Sequence, residues 1–570
     1  MLSLFLSSFI SLILFTIYGT FISKVAFFRS NIFINVLIGI VAINTLTSFL
    51  SLFFPINNYV LFAFILSSII LFFFIKKELK SIYQLIKSKK SIIIYSLPFI
   101  LVTFIISINS PQNYDTGLYH IQTIKWIEEY AVVPGLANLH GRFGFNPNIF
   151  TLFALTSLFD IFGQLIFSIN FTLLILFILY FINQLYFHFK QSGINHLFIL
   201  NLIVFLTILS LQYYVSSPSP DFISIVFPLF IFTNLINQGV KNDTISDIPT
   251  LILCLYSITV KLATLPVLIL VIFILVKHRK ETKTIKFILA LFCLIIFPWL
   301  FRNIILSGWL IYPFYSIDLF NFDWKVPLSK IIHENESIIG WARNPGKKYI
   351  EASHMNLFYW FPEWWYQLKT IYKLLFLSSI AFTLLSIIGQ YMKKIKLDFN
   401  SFAIIITSFF GILFWLMLAP DLRFGKAFLI FATLSPLLFL KFNFKPYAAK
   451  FFNPFLTLIS IAFLFFVFCA NRNTDLNFLR TVSKNPSQLI LPKIIESPVT
   501  LNFKTINISG INCYMPLEGD RCYNYCIPCT PYFDTALILR GTNLKSGFKH
   551  KSNGQKDYSH LKQLLKPFWF

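Results

Sequence analysis

The chain has 570 residues, of which 56% are hydrophobic and only 12% charged, and its formal net charge is +24. Charge that sparse, against roughly 25% in soluble domains, cannot coat several water-soluble globules, and 71 Phe with 25 Tyr are too apolar for a disordered chain. The composition therefore predicts an all-α polytopic membrane protein, in keeping with a mean hydropathy of +0.72.

A helix needs about 20 apolar residues to cross the hydrocarbon. Runs near that length fall at 1–23, 32–54, 59–75, 91–108, 166–188, 197–214, 221–238, 249–261, 263–277, 285–301, 370–390, 401–419, 424–441 and 452–470, about 14 transmembrane helices in all. The first run lacks a basic start and a small-residue cleavage site, so it is expected to remain as a helix. The pair at 249–261 and 263–277 is short and almost unseparated. A further apolar stretch, 148–164, is bracketed by Asn146-Pro147 and by Asp160 and Gly163. It is expected to be interfacial or re-entrant, because a true span there would reverse every later loop.

The basic residues fix an orientation. Lys76, Lys77, Lys80, Lys87, Lys89 and Lys90 form one cluster; Lys277, Arg279, Lys280, Lys283 and Lys286 form another. With 148–164 excluded, these clusters, and those at 393–396 and 441–450, fall on one side, while the loops at 55–58 and 215–220 carry no base. Lys and Arg concentrate in cytoplasmic loops, so this side is cytoplasmic. No basic face with interleaved aromatics occurs on a soluble module, which excludes nucleic acid as a partner. The scheme divides the chain into N-terminal helices (1–90), a membrane core (91–470) with outer loops at 109–147 and 302–369, and an outer tail (471–570).

The tail turns polar and reads as a small mixed or β-rich domain, with apolar stretches at Leu489-Ile490-Leu491 and Ala536–Leu539. It holds Cys513, Cys522, Cys526 and Cys529. On an oxidising face these predict two disulfides in any of three pairings; a zinc site is the alternative, and either role is structural. Cys254, Cys293 and Cys469 lie in or beside spans as packing residues.

The chemistry-bearing residues cluster at the outer ends of spans. Asp115 follows a span directly, within Tyr114-Asp115-Thr116-Gly117, and either acts as a partly desolvated base or caps the next helix. That helix, Tyr119 to Tyr130, is amphipathic and suited to lying in the membrane interface. His120 opens it, and a Pro- and Gly-rich loop then carries His140, Arg142 and Asn146. Asp221 sits at another outer turn, as site residue or helix cap. Lys261 lies between apolar segments, where it either meets an anion or snorkels to the surface. Arg302 and Asn303 end a further span, and Asp421 with Arg423 makes a third tight turn. Carboxylates and fixed cations around one outer pocket suit a phosphate and a hydroxyl; no metal ligand set is evident.

The Tyr114–Gly117 element, the helix after it, Lys261, and the Pro298-Trp299-x-x-Arg302-Asn303 element followed by Gly308 and Tyr312-Pro313 together resemble the GT-C superfamily of membrane glycosyltransferases. The Tyr114–Asn146 stretch is most similar to a family of uncharacterised bacterial multi-pass membrane proteins near that superfamily. The resemblance covers roughly residues 91–440 and implies a GT-C-like fold in a bacterial-type inner membrane. It also implies transfer of a sugar from a polyprenyl-phosphate carrier to a glycan or lipid acceptor outside the cytoplasm, inverting the anomeric centre. Asp115 would be the base, with His120 beside it. Lys261, Arg302, Asn303 and Arg423 would hold the phosphate, with Asp221 and Asp421 among them, and His140 and Arg142 would shape the acceptor side. Many members carry an Asp-Glu pair where this chain has Asp115-Thr116, so a second carboxylate would come from Asp221 or Glu128. The one cofactor left open is a divalent cation. A glycan polymerase or ligase is the alternative enzyme, and a transporter or flippase of a lipid-linked or anionic substrate the alternative outside enzymes.

Overall fold

A computed structural model describes residues 1–26, 31–111, 113–239, 244–346, 348–444, 452–470, 490 and 502–551. Its helices in chain order are α1 (Leu2–Val25), α2 (Ile32–Leu50), α3 (Asn58–Phe74), α4 (Lys76–Ser88), α5 (Lys90–Ser107), α6 (Ile121–Glu129), α7 (Ile149–Leu155) and α8 (Phe159–Phe162). There follow α9 (Ile169–Ser192), α10 (His196–Leu209), α11 (Pro220–Gln238), α12 (Thr244–Val260), α13 (Leu268–Lys277) and α14 (Thr282–Ser307). The last seven are α15 (Leu328–Arg343), α16 (Tyr349–His354), α17 (Leu357–Gln367), α18 (Thr370–Tyr391), α19 (Phe399–Leu418), α20 (Leu422–Thr433) and α21 (Phe452–Ala470).

Every predicted apolar run contains helix, although 424–441 is α-helical only as far as Thr433. Among the described residues nine helices are long and apolar enough to cross a membrane, or ten if α3 and α4, bent by 90° at their junction, count as one. The chain is thus built as a membrane-embedded bundle, while the expected number of about fourteen exceeds what length and hydropathy support. The difference comes from α3, α12, α13 and α20, which are helical but short, and from α21, whose described side chains stop at Phe463. The 148–164 segment forms only the one-to-two-turn helices α7 and α8. At 1.5 Å per residue, α7 is about 10 Å long and cannot span; all of its side chains are buried in protein.

With no water among packed helices, small residues and polar side chains set how closely they approach. A Cβ on Gly19 would lie 1.7 Å from the Asn35 carbonyl oxygen, and one on Gly39 1.9 Å from that of Phe15, so α1 and α2 meet backbone to backbone. Asn44 on α2 donates to Thr151 Oγ1 (2.7 Å) and accepts from the Tyr256 hydroxyl (2.6 Å), tying α2 to α7 and α12. The N-terminal helices therefore share their core with the rest of the bundle.

Loops assigned to the same side meet one another. On the basic side Lys24 pairs with Glu78 at 2.9 Å, Asn195 bridges to Asn443, and Asn400 donates to the Gly239 carbonyl at 3.1 Å. At the other end the 109–147 loop contacts the turns at 56 and 219: Ile56 N donates to Ile127 O, and Asn113 to Ser219 Oγ. Most of the 441–450 cluster lies outside the described residues.

The tail forms two antiparallel pairs, β1 (Phe503–Ile508) with β2 (Ile511–Pro516) and β3 (Leu537–Leu539) with β4 (Phe548–His550). The predicted Ala536–Leu539 stretch becomes β3, whereas Leu489 and Leu491 lie outside the described residues. One disulfide forms, Cys522–Cys529, rather than two. Cys513 is buried on β2 and Cys526 is exposed, so the remaining thiols do not meet. Cys254 is buried as a packing residue, Cys293 is exposed on α14, and the Cys469 side chain lies outside the described ones.

The amphipathic segment after Asp115 departs from expectation. Residues 121–128 of α6 are all buried, including Gln122 and Lys125. The polar face that would have met lipid headgroups meets the tail instead: Gln122 donates to the Tyr523 and Tyr525 carbonyls at 3.0 and 2.9 Å, and Lys125 to Tyr525 at 2.8 Å.

Candidate active site

A cavity of about 1430 Å³ opens where the 109–147 loop, the 302–369 loop, the tail and the ends of α12, α19 and α20 converge. Asp115 stands on its wall. It directly precedes a π-helical turn (Thr116–His120), its backbone N–H is held by Asn113 Oδ1, and its side chain makes no cap hydrogen bond. The carboxylate turns instead to two guanidiniums: Arg142 donates to Oδ1 at 3.1 Å and Arg423 to Oδ2 at 3.2 Å.

From these two arginines an ionic chain extends. Arg142 reaches Glu334 of α15 at 3.8 Å. Arg423 Nε meets Asp421 at 3.0 Å, and its Nη1 lies 3.7 Å from Asp221. Asp221 in turn is ion-paired with Lys261, whose ammonium sits 4.2 Å from the Phe424 ring centre. Each alternative left open at these positions has an outcome. Ser219 caps α11 and leaves the Asp221 carboxylate to the two cations. Asp421 both caps α20, accepting from Arg423 N at 3.0 Å, and pairs with the Arg423 side chain. Lys261 breaks the α12–α13 path in an extended conformation (φ −159°) and is paired rather than snorkelling.

Burial differs sharply along the chain. The Asp221 side chain is 4% exposed and does not reach the wall, so it acts from behind on Lys261 and Arg423; the Arg423 side chain, at 38%, is the most open cation. Burial alone would lower both arginines' affinity for a proton, but the surrounding carboxylates outweigh it and hold both above the usual guanidinium range. Glu334 is pushed the other way: burial raises its pKa and Arg142 offsets only part of that.

Other predicted residues stand elsewhere. His120 is 1% exposed, packs against Tyr119 and Phe150, and does not line the cavity; burial lowers its pKa to about 4. The ring expected beside the base thus stands behind the cavity wall rather than on it. Arg302 also faces away, donating to Asn146 Oδ1 at 3.0 Å and to Ser51 Oγ. Trp299 Nε1 donates to the Asn146 carbonyl at 2.7 Å, and Asn303 Oδ1 accepts from Asn146 Nδ2 at 3.0 Å. The Pro-Trp-x-x-Arg-Asn element thus pins the end of the Asp115 loop, and only Trp299 and Asn303 of it touch the cavity. Arg302, expected at the phosphate, is thus held on a buried amide and hydroxyl and is not on the cavity wall. Glu128 is buried beside Asp160, pushed up to about 8 by desolvation, and is not on the cavity wall.

His140 does line the cavity, buried and held neutral, its pKa lowered to about 3 first by burial and then by Arg142. Glu334 and the tail residues Asp520, Tyr532 and Asp534 line it too, and none of these was legible as a site residue. The available signal for Glu334 was a carboxylate within the polar run His333–Glu336 of an outer loop. For the tail residues no local signal exists. Among the described residues no group of three or more His, Cys, Asp and Glu is placed to hold a metal ion.

A profile of the domain-of-unknown-function family DUF8201 matches residues 1–430. No curated protein and no solved structure matches the chain. The family match starts at the first helix and runs through every member of the ionic chain from Asp115 to Arg423, leaving outside it only the tail side chains on the cavity wall. The protein belongs to the DUF8201 family.

Proposed function

We propose that this protein is an inverting membrane glycosyltransferase of GT-C type, with about fourteen membrane-crossing helices. It moves a sugar from a polyprenyl-phosphate carrier to a glycan or lipid hydroxyl. On this reading the cavity faces the non-cytoplasmic side of an inner membrane, which the asymmetry of the basic loops supports. The observation that carries the reading is the ionic chain itself: a cavity-wall aspartate with both oxygens on arginines, one of which is shared with a buried Asp–Lys pair.

That arrangement couples donor arrival to base release. An incoming phosphate draws Arg423 from Asp115 and meets Lys261 at the end of the same chain. Asp115 Oδ2 is then free to take the proton of the acceptor hydroxyl. The acceptor oxygen attacks the anomeric carbon from the opposite face as the carbon–oxygen bond to phosphate breaks. Carrier phosphate leaves with that electron pair, its charge met by Arg423 and Lys261, which stabilise it in a partly dehydrated site. A transporter would need charges in mid-span, whereas these lie at helix ends.

The test is Asp115→Asn in membranes supplied with a lipid-linked sugar. Loss of transfer by roughly 10²–10⁴-fold is expected of a general base, with protein level unchanged. Full transfer removes Asp115 from the mechanism, and products of repeated unit length would identify a polymerase.

A further inference from the structure

We infer that the hydrated wall of the cavity, shared by α15, the Gly141 turn and the C-terminal unit, is a binding subsite for a carbohydrate acceptor. The inference rests on the glycosyltransferase reading for the fate of that ligand, though not for its binding. Two kinds of surface meet on this wall. The first is aromatic: Trp341 lies over Tyr349 with ring centres 5.2 Å apart and planes at 24°, and Trp341 is 48% exposed. Across the wall, Tyr532 of the tail is 60% exposed and its ring centre lies 5.7 Å from that of His140. Flat, open aromatic faces inside a cavity match the C–H face of a pyranose ring.

The second surface is polar and incompletely partnered. His140 Nε2 and the Tyr312 hydroxyl are buried, line the cavity, and have no hydrogen-bond partner among the described residues. The Tyr312 hydroxyl converges with Glu334 on Gly141, next to His140 in the chain: a Cβ there would lie 2.7 Å from Glu334 Oε2 and 3.3 Å from the Tyr312 oxygen. Buried polar atoms are nearly always hydrogen-bonded, and groups of both signs are best met by a ligand whose hydroxyls donate and accept alike. A lipid acceptor would use neither surface. A peptide added as a strand needs a sheet edge, and no residue of β1–β4 lines the cavity. Because Tyr532 belongs to the tail, beyond the family match, acceptor choice is set partly by a segment the family profile does not cover.

The experiment is saturation-transfer NMR on the purified full-length protein in nanodiscs, with maltotetraose, mannotetraose and N-acetylchitotetraose as probes. At least one tetrasaccharide is expected to bind. Trp341→Ala and Tyr532→Ala, both at exposed rings, should weaken it tenfold or more, and Tyr312→Phe about fivefold while keeping the fold. Binding by none of the three sugars, or unchanged affinity in all three variants, overturns the inference. Saturation of a Ser/Thr-rich peptide and of no sugar overturns it in favour of a peptide acceptor. Asp115→Asn separates the two readings: sugar binding with normal transfer in that variant sinks the catalytic mechanism and leaves the subsite standing, whereas lost transfer without any sugar binding does the reverse.

Discussion

Neutralising one member of the Asp221–Lys261 pair should cost far more than neutralising both. Asp221 is 4% exposed at the side chain, and Lys261, at 22%, leans on it and on the Phe424 ring. Breaking a buried ion pair from one side leaves an uncompensated charge, at about 3–5 kcal/mol. Lys261→Met keeps much of the side-chain volume, but among the described residues Asp221 then retains a single ion-pair partner, Arg423 at 3.7 Å; with Lys261 partly solvated, a loss near the lower limit, about 3 kcal/mol, is expected. Asp221→Asn strands Lys261 similarly. The double variant carries no stranded charge and should lie within about 1 kcal/mol of wild type, a coupling well above what exposed pairs give. Thermal unfolding of the four purified proteins in one detergent measures the cycle. Additive losses, or a single variant within about 0.5 kcal/mol of wild type, would refute the buried-pair argument. The same four proteins test the chemistry: a refolded double variant that transfers sugar at the wild-type rate would remove Lys261 from phosphate binding.

Three further outcomes follow from the site. Arg302→Gln should lower stability by about 1.5–3 kcal/mol, because charged hydrogen bonds to Asn146 and Ser51 are lost, with donor KM unchanged in the folded fraction; a raised KM with unchanged stability would return Arg302 to the phosphate site. His120 and His140 have folded pKa values lowered to about 4 and about 3 from 6.5. Each is buried neutral, so its stabilisation is complete above 6.5 and is lost as pH falls toward the folded value, at about 1.4 kcal/mol per pH unit per histidine. Melting curves from pH 7.5 to 5 should therefore drop in wild type and flatten in His140→Asn; parallel curves contradict the burial argument. In Gly117→Ala the new methyl meets the Tyr523 ring at 2.8 Å, and overpacking of about 1–3 kcal/mol should loosen the tail from the Asp115 loop, seen as faster proteolysis within 502–551.

Sequence alone determined the class and the inventory. Run length and hydropathy found each of the nine helices that, among the described residues, are long and apolar enough to cross a membrane, because a chain in lipid must satisfy its backbone within each segment, and the helical segments are therefore written locally as apolar runs. Loops assigned to one side by their charge do meet one another. Singling out Asp115, Asp221, Lys261, Asp421 and Arg423 was possible for the same reason: a charge at the end of an apolar run is costly enough to stand out.

What they do with one another was decided only by the tertiary structure. Asp115 and Arg423 lie 308 positions apart, and nothing local says which aspartate takes which cation, or that Arg302 turns to Asn146 instead. Amphipathicity of the segment after Asp115 was real, but pattern cannot tell a face that meets headgroups from one that meets the protein's own tail. Glu334 and Tyr532 were invisible for a related cause: in polar loops charged and aromatic residues are ordinary, and only packing against the Gly141 turn brings them to the wall.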